Sequence, residues 1–116
     1  MSRVLLLGLV FLTAAFAQYD AGAILGTITD PSGAVVAGVK VTLESVRTGV
    51  KQTATTDADG SYQFLNQRIG EYKVSAEAAG FKTVNSESFI LTVNARQRVN
   101  LALQVGDVSQ SIAVTG

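Results

Sequence analysis

The sequence predicts an all-β fold: an antiparallel β-sandwich of about seven strands. Three observations predict it. Turn-forming clusters of Gly, Asp, Asn and Pro recur at roughly 8–12-residue spacing, as in sandwiches. Between them, apolar and polar residues alternate with the period of a half-buried strand, as in Val39-Lys40-Val41-Thr42-Leu43-Glu44. No helical period follows the first seventeen residues.

Those first seventeen are a separate unit. Arg3 supplies a minimal basic start, Val4 to Phe16 is almost wholly apolar, and Ala15-Phe16-Ala17 is a small-x-small cleavage site. Residues 1–17 therefore read as an export signal, with the mature chain beginning near Gln18. The apolar run is short of the roughly 20 residues that a membrane-crossing helix needs, and no charged stop-transfer segment follows. The expected product is exported, to the periplasm and outer membrane or the medium, with no transmembrane helix in the mature chain. A lead segment (18–22), a sandwich (23–105) and an extended tail or last strand (106–116) complete the division.

Composition removes several function classes. Nine basic residues balance nine acidic ones, and His and Cys are absent. No basic stripe exists to neutralise phosphates, which excludes nucleic acid as a partner. The commonest general base, transition-metal ligand and thiolate nucleophile are all missing, so neither an enzyme nor a cofactor is expected. Without disulfides, an apolar core alone must hold the exported domain.

Taken in order, Ala23 to Asp30 is the first strand, with Ile24, Gly26 and Ile28 on one face. Asp30-Pro31-Ser32-Gly33 spells a β-turn. Ala34 to Gly38 connects to the strand at Val39–Glu44, and Arg47-Thr48-Gly49 turns into a Thr-rich edge strand, Val50 to Thr56. Thr56-Asp57-Ala58-Asp59-Gly60 is a tight acidic turn in which Gly60 supplies positive φ. Tyr62 and Phe64 point inward from the strand that follows. A loop at 66–70, including Gly70, leads to Glu71–Ala76 with Tyr72 and Val74 inward. Gly80 marks a turn, and Phe81–Ser86 and Phe89–Val93 are strands. Arg98 to Val105 alternates as one more. The expected core pools Ile24, Ile28, Val41, Leu43, Tyr62, Phe64, Tyr72, Val74, Phe89, Leu91, Val93, Val99, Leu101 and Leu103. A transmembrane barrel is the competing all-β architecture, but these runs are shorter than its strands and carry Lys40, Glu44, Glu71 and Lys73 on their polar faces.

Three stretches in register resemble the carboxypeptidase regulatory-like domain, a transthyretin-like (prealbumin-like) Greek-key sandwich. They are Gly26–Gly33 with Ala37–Val41, Thr56–Phe64, and Gly70–Val74 with Ala79-Gly80-Phe81. Gln67-Arg68-Ile69 departs from the family's Leu-Pro-Pro-like run. The resemblance implies a non-catalytic accessory domain of exported proteins, of the kind found at the N-terminus of TonB-dependent outer-membrane receptors. It also implies a kinship with starch-binding-like modules, which makes carbohydrate the alternative ligand. Ser111-Ile112-Ala113-Val114-Thr115 resembles the short box that pairs as a strand with the energy-transducing protein in the cell envelope, a case of β-augmentation.

The remaining candidates have structural readings. Asp57 and Asp59 lack the further oxygens and the Glu of a calcium loop, so they read as turn carboxylates, and no metal is expected. Neighbours in one turn cannot flank a glycosidic bond from two sides. Tyr62 and Tyr72 read as core residues with their hydroxyls at the rim, which leaves Tyr19 as the free tyrosine. Lys40, Lys73, Arg96 and Arg98 read as solvated faces. Ser86 and Ser88 have no base to activate them.

Overall fold

The computed structural model describes residues 20–106. The leader at 1–17, Tyr19 and the segment Ser111–Thr115 lie outside the described residues. Eleven strands follow one another: β1 (Ala21–Thr29), β2 (Lys40–Ser45), β3 (Lys51–Thr55), β4 (Ser61–Arg68), β5 (Gly70–Glu77), β6 (Phe81–Lys82), β7 (Val84–Asn85), β8 (Phe89–Leu91), β9 (Arg96–Arg98), β10 (Leu101–Ala102) and β11 (Gln104–Val105). No helix among the described residues is long and apolar enough to cross a membrane.

The strands form two layers. In one, β1 lies between β4 on one side and β9 and β10 on the other. In the other, β3-β2-β5 run in order, with β7 and β8 both paired to β5. Strands β6 and β11 make a short separate ribbon. Alternation along β1, β2, β4 and β5 turns Ile24, Ile28, Val41, Leu43, Tyr62, Phe64, Tyr72 and Val74 into one shared cluster, joined by Leu91 and Leu103. At about 1.5–3 kcal/mol per large buried side chain, this cluster is the main force holding the layers together. As expected, β3 is an edge strand. Its Gln52 exchanges amide hydrogen bonds with Gln67 of β4 (2.7 and 3.1 Å), clasping the two layers along that side.

Several local expectations are corrected. Residues 66–70 are not a loop: β4 runs to Arg68 because Gly22 and Ala21 continue to pair with Gln67 and Arg68. The ladder shifts register between Gly22 and Ile24, and Asn66 (φ 51°) absorbs the irregularity. The single strand expected over Arg98–Val105 is three short ones. It breaks at Val99 and Asn100, where the Val99 carbonyl accepts the Tyr62 hydroxyl and the Asn100 side chain accepts the Thr27 amide. Both β9 and β10 run parallel to β1, whereas the other pairings are antiparallel. Phe81–Ser86 likewise splits into β6 and β7. Val93 lies past the end of β8 and is half exposed, not in the core. Phe89, Val99 and Leu101 are only partly buried against the cluster. Val39, absent from the expected core, is fully buried.

Candidate functional site

The tightest constellation lies where β1 passes between Tyr62 of β4 and the β9–β10 break. Gly26 is paired with Tyr62 across the ladder. A Cβ on Gly26 would stand 1.9 Å from the Val99 carbonyl oxygen and 2.9 Å from the Tyr62 hydroxyl. Only a bare backbone lets the ring reach across and donate to Val99 O at 2.6 Å. Burial pushes the Tyr62 hydroxyl far above its ordinary range, opposed weakly by Arg98, so the proton stays in this hydrogen bond at any physiological pH. Phe64 meets the Tyr62 ring edge-on at 5.8 Å between centroids.

Tyr72 plays a similar part at the far end of the core. Its ring packs near Phe89 and its hydroxyl donates to Arg68 O at 2.7 Å. Burial raises its hydroxyl too, with Arg68 acting the other way. The three aromatic side chains singled out by sequence are all buried, none more than 6% exposed. Phe81 and Phe89 are partly covered.

Both Asp-led turns use one carboxylate oxygen to organise backbone. Asp30 Oδ1 accepts from the Ser32 amide (2.8 Å), the Ser32 hydroxyl (2.7 Å) and the Ala34 amide (3.0 Å). These bonds, that of the Ser32 hydroxyl first, hold the Asp30 carboxyl below its usual value. Asp57 Oδ1 accepts from the amides of Asp59 (2.8 Å) and Ser61 (3.0 Å). Gly33 (φ 95°) and Gly60 (φ 73°) complete the turns, each donating its amide to the carbonyl of the Asp three residues before it. Gly70 and Gly80 also take positive φ. Pro31 is exposed at the second position of the first turn. The Asp59 side chain is in none of the turn bonds described. Among the described residues, no three His, Cys, Asp or Glu side chains converge.

The charged candidates are dispersed. Lys40 faces Glu77 and Lys73 faces Glu44, each at 3.9 Å on the outer face of the larger sheet, where such pairs contribute little. Arg96 and Arg98 lie exposed on β9. Ser86 is committed to structure: its hydroxyl accepts the Val74 amide and donates to Glu87 O, both at 2.9 Å. Ser88 is exposed.

Two features escaped the sequence. Thr56 is the one buried polar side chain among the described residues. Its hydroxyl donates to Val36 O (2.8 Å) and accepts from Val39 N (2.9 Å), fastening the 34–39 connection to the acidic turn. Its capacity to pair two backbone groups is ordinary for Thr, so nothing in the residue pattern marked it. Exposed aliphatics Val50 and Ile69 border an open groove with Arg47, Gln52, Arg68 and Tyr72. Val50, expected to open the edge strand, precedes β3, and Ile69 lies at the junction of β4 and β5, so neither is held in a ladder that would turn it inward.

Comparison with known proteins places this arrangement. The model of the carboxypeptidase regulatory-like domain family matches residues 23–104. The TonB-dependent transporter Oar of Myxococcus xanthus is 33% identical over 110 residues, covering 94% of this chain. The chain spans only 10% of that relative's length. Among solved structures, the TIE protein of Bacillus anthracis superposes with a TM-score of 0.63 at 19% identity, over 74% of this chain and 17% of that one. Catechol 1,2-dioxygenase of Acinetobacter radioresistens superposes with a TM-score of 0.58 at 13% identity, over 79% of this chain and 54% of the enzyme. At such identities the likeness is one of fold.

Proposed function

The chain belongs to the carboxypeptidase regulatory-like domain family, and on that premise we propose that it is a non-catalytic accessory domain of, or related to, a TonB-dependent outer-membrane receptor. The observation that carries this reading is the match to the Oar transporter along nearly the whole chain, not over one motif. The geometry agrees with it. Among the described residues, the Tyr62 and Tyr72 hydroxyls, the Asp30 and Asp57 carboxylates and the Ser86 hydroxyl are engaged in holding backbone, and none forms an activated nucleophile beside a base. In this reading residues 1–17 direct export, and Ser111–Thr115 is the segment that adds as a strand to an envelope partner. The carbohydrate alternative calls for two exposed rings side by side, whereas among the described residues Tyr62, Phe64 and Tyr72 are buried and Phe81 and Phe89 partly covered.

The test is direct binding. A peptide of residues 107–116 is titrated into the periplasmic C-terminal domain of a TonB energy-transducing protein, with amide shifts followed by NMR. The reading expects shifts along one edge strand, and their loss with Ile112→Pro, which removes a backbone donor. No shifts with the parent peptide, or equal shifts with the Pro variant, would contradict it.

A further inference from the structure

We propose a mechanical function: the sandwich is a link that carries tension between whatever is attached at its two ends. The topology carries this inference on its own and does not depend on the receptor reading. The chain enters at Ala21 and runs the length of β1; β9 and β10 lie beside β1 and point the same way, and the chain then passes through β11, which pairs with β6. Residues 23–25 pair with 96–98, and 28–29 pair with 101–102. Parallel pairing puts the two chain ends at opposite ends of the same ladder. Pulling Asp20 and Gly106 apart loads the short β11–β6 ribbon first, and once that two-residue pairing yields it slides β1 along β9–β10 instead of peeling it away.

Sliding loads the cross-strand bonds together. Outside the regular pairs, Ala23 N donates to Ala95 O (2.9 Å), Val99 N to Leu25 O (2.8 Å) and Leu103 N to Thr29 O (2.7 Å). The Thr27 amide donates to Asn100 Oδ1 at 2.8 Å, filling the gap where the strand breaks. The ladder is thus bonded from Ala23 to Thr29 despite the interruption. Displacement along the strand also drags Ile24 and Ile28 on one side, or Leu103 on the other, out of full burial. Tyr62, bonded to Val99 O across bare Gly26, ties β4 into the same junction. By contrast β1 and β4 are antiparallel, with Ala21 opposite Arg68 at the entry end. Force applied there opens the ladder one bonded pair at a time.

The experiment is single-molecule force spectroscopy on the full chain, whose lack of Cys allows two introduced cysteines to define the pulling axis. One variant carries Asp20→Cys with Asp107→Cys, the other Asp20→Cys with Ile69→Cys. At one pulling speed, the 20/107 axis is expected to unfold at a force at least about twofold above the 20/69 axis, because several bonds share the load before any breaks. Asn100→Ala is expected to lower the first force and leave the second unchanged. Equal forces along both axes, or a weaker 20/107 axis, would overturn the proposal. So would an Asn100→Ala loss of the same size in both, which would be a general loss of stability.

Discussion

Gly26→Ala is the substitution on which the packing argument is most exposed. The added Cβ would stand 1.9 Å from Val99 O and 2.7 Å from Val99 C, both backbone atoms that cannot swing aside. Relief requires β1 and residues 98–100 to part by more than an ångström. That strains the Val99 N–Leu25 O bond (2.8 Å) and the Tyr62–Val99 bond (2.6 Å). Forced overpacking costs about 1–3 kcal/mol. One weakened hydrogen bond adds roughly 0.5–1.5 kcal/mol. Against this, Ala gains only about 0.5–1 kcal/mol over Gly in an extended segment. The balance is a destabilisation of about 2 kcal/mol, or a fall in Tm of roughly 8–16 °C at 4–8 °C per kcal/mol for a domain of this size. Thermal unfolding followed by circular dichroism, with urea titration as a check, measures it. An unchanged or raised Tm would refute the reasoning.

Gly60→Val is expected to destabilise by ~1 kcal/mol or more, since φ is 73° and a Cβ there meets Val35 and Ile28 O at 2.8 and 2.9 Å, whereas Ser61→Ala should be near neutral; urea midpoints decide. Thr56→Val keeps the shape but leaves Val39 N and Val36 O without their partner, at a cost of about 2 kcal/mol or more by the same titration. Because the folded carboxyl of Asp30 is held below 3.8, its contribution is complete above that pH and is lost as pH falls through the lowered value; Asp30→Asn should flatten the acid limb of a Tm-against-pH profile. The Tyr62 hydroxyl is raised above 10, so its contribution is full below pH 10 and declines as pH rises from there towards the folded value; Tyr62→Phe should reduce that alkaline decline.

The two-layer architecture and most of its inward residues were legible because alternation is strict where a strand has one wet face. Ile24, Val41, Leu43, Phe64 and Val74 follow it without exception. The turns at Asp30 and Asp57 were legible because Asp, Pro and Gly have position-specific roles in turns. What escaped depends on partners distant in sequence. The alternation from Arg98 to Val105 continues through a strand break that Tyr62, 37 residues away, imposes at Val99. The extension of β4 to Arg68 depends on pairing with Ala21, and the need for a bare Gly26 depends on Val99 and Tyr62. Val93 alternates correctly but lies beyond the end of its strand, where no facing layer covers it.

The central claim is that the aromatic residues and turns of this domain serve its architecture, with Tyr62 as the pin between β4, β1 and the last strands. Solution NMR tests it most directly, through nuclear Overhauser contacts of the Tyr62 ring. The account predicts contacts to the Gly26 α-protons and to Val99, together with a slowly exchanging Tyr62 hydroxyl proton. A Tyr62 ring with neither contact, and with the shift of a solvent-exposed tyrosine, would contradict it.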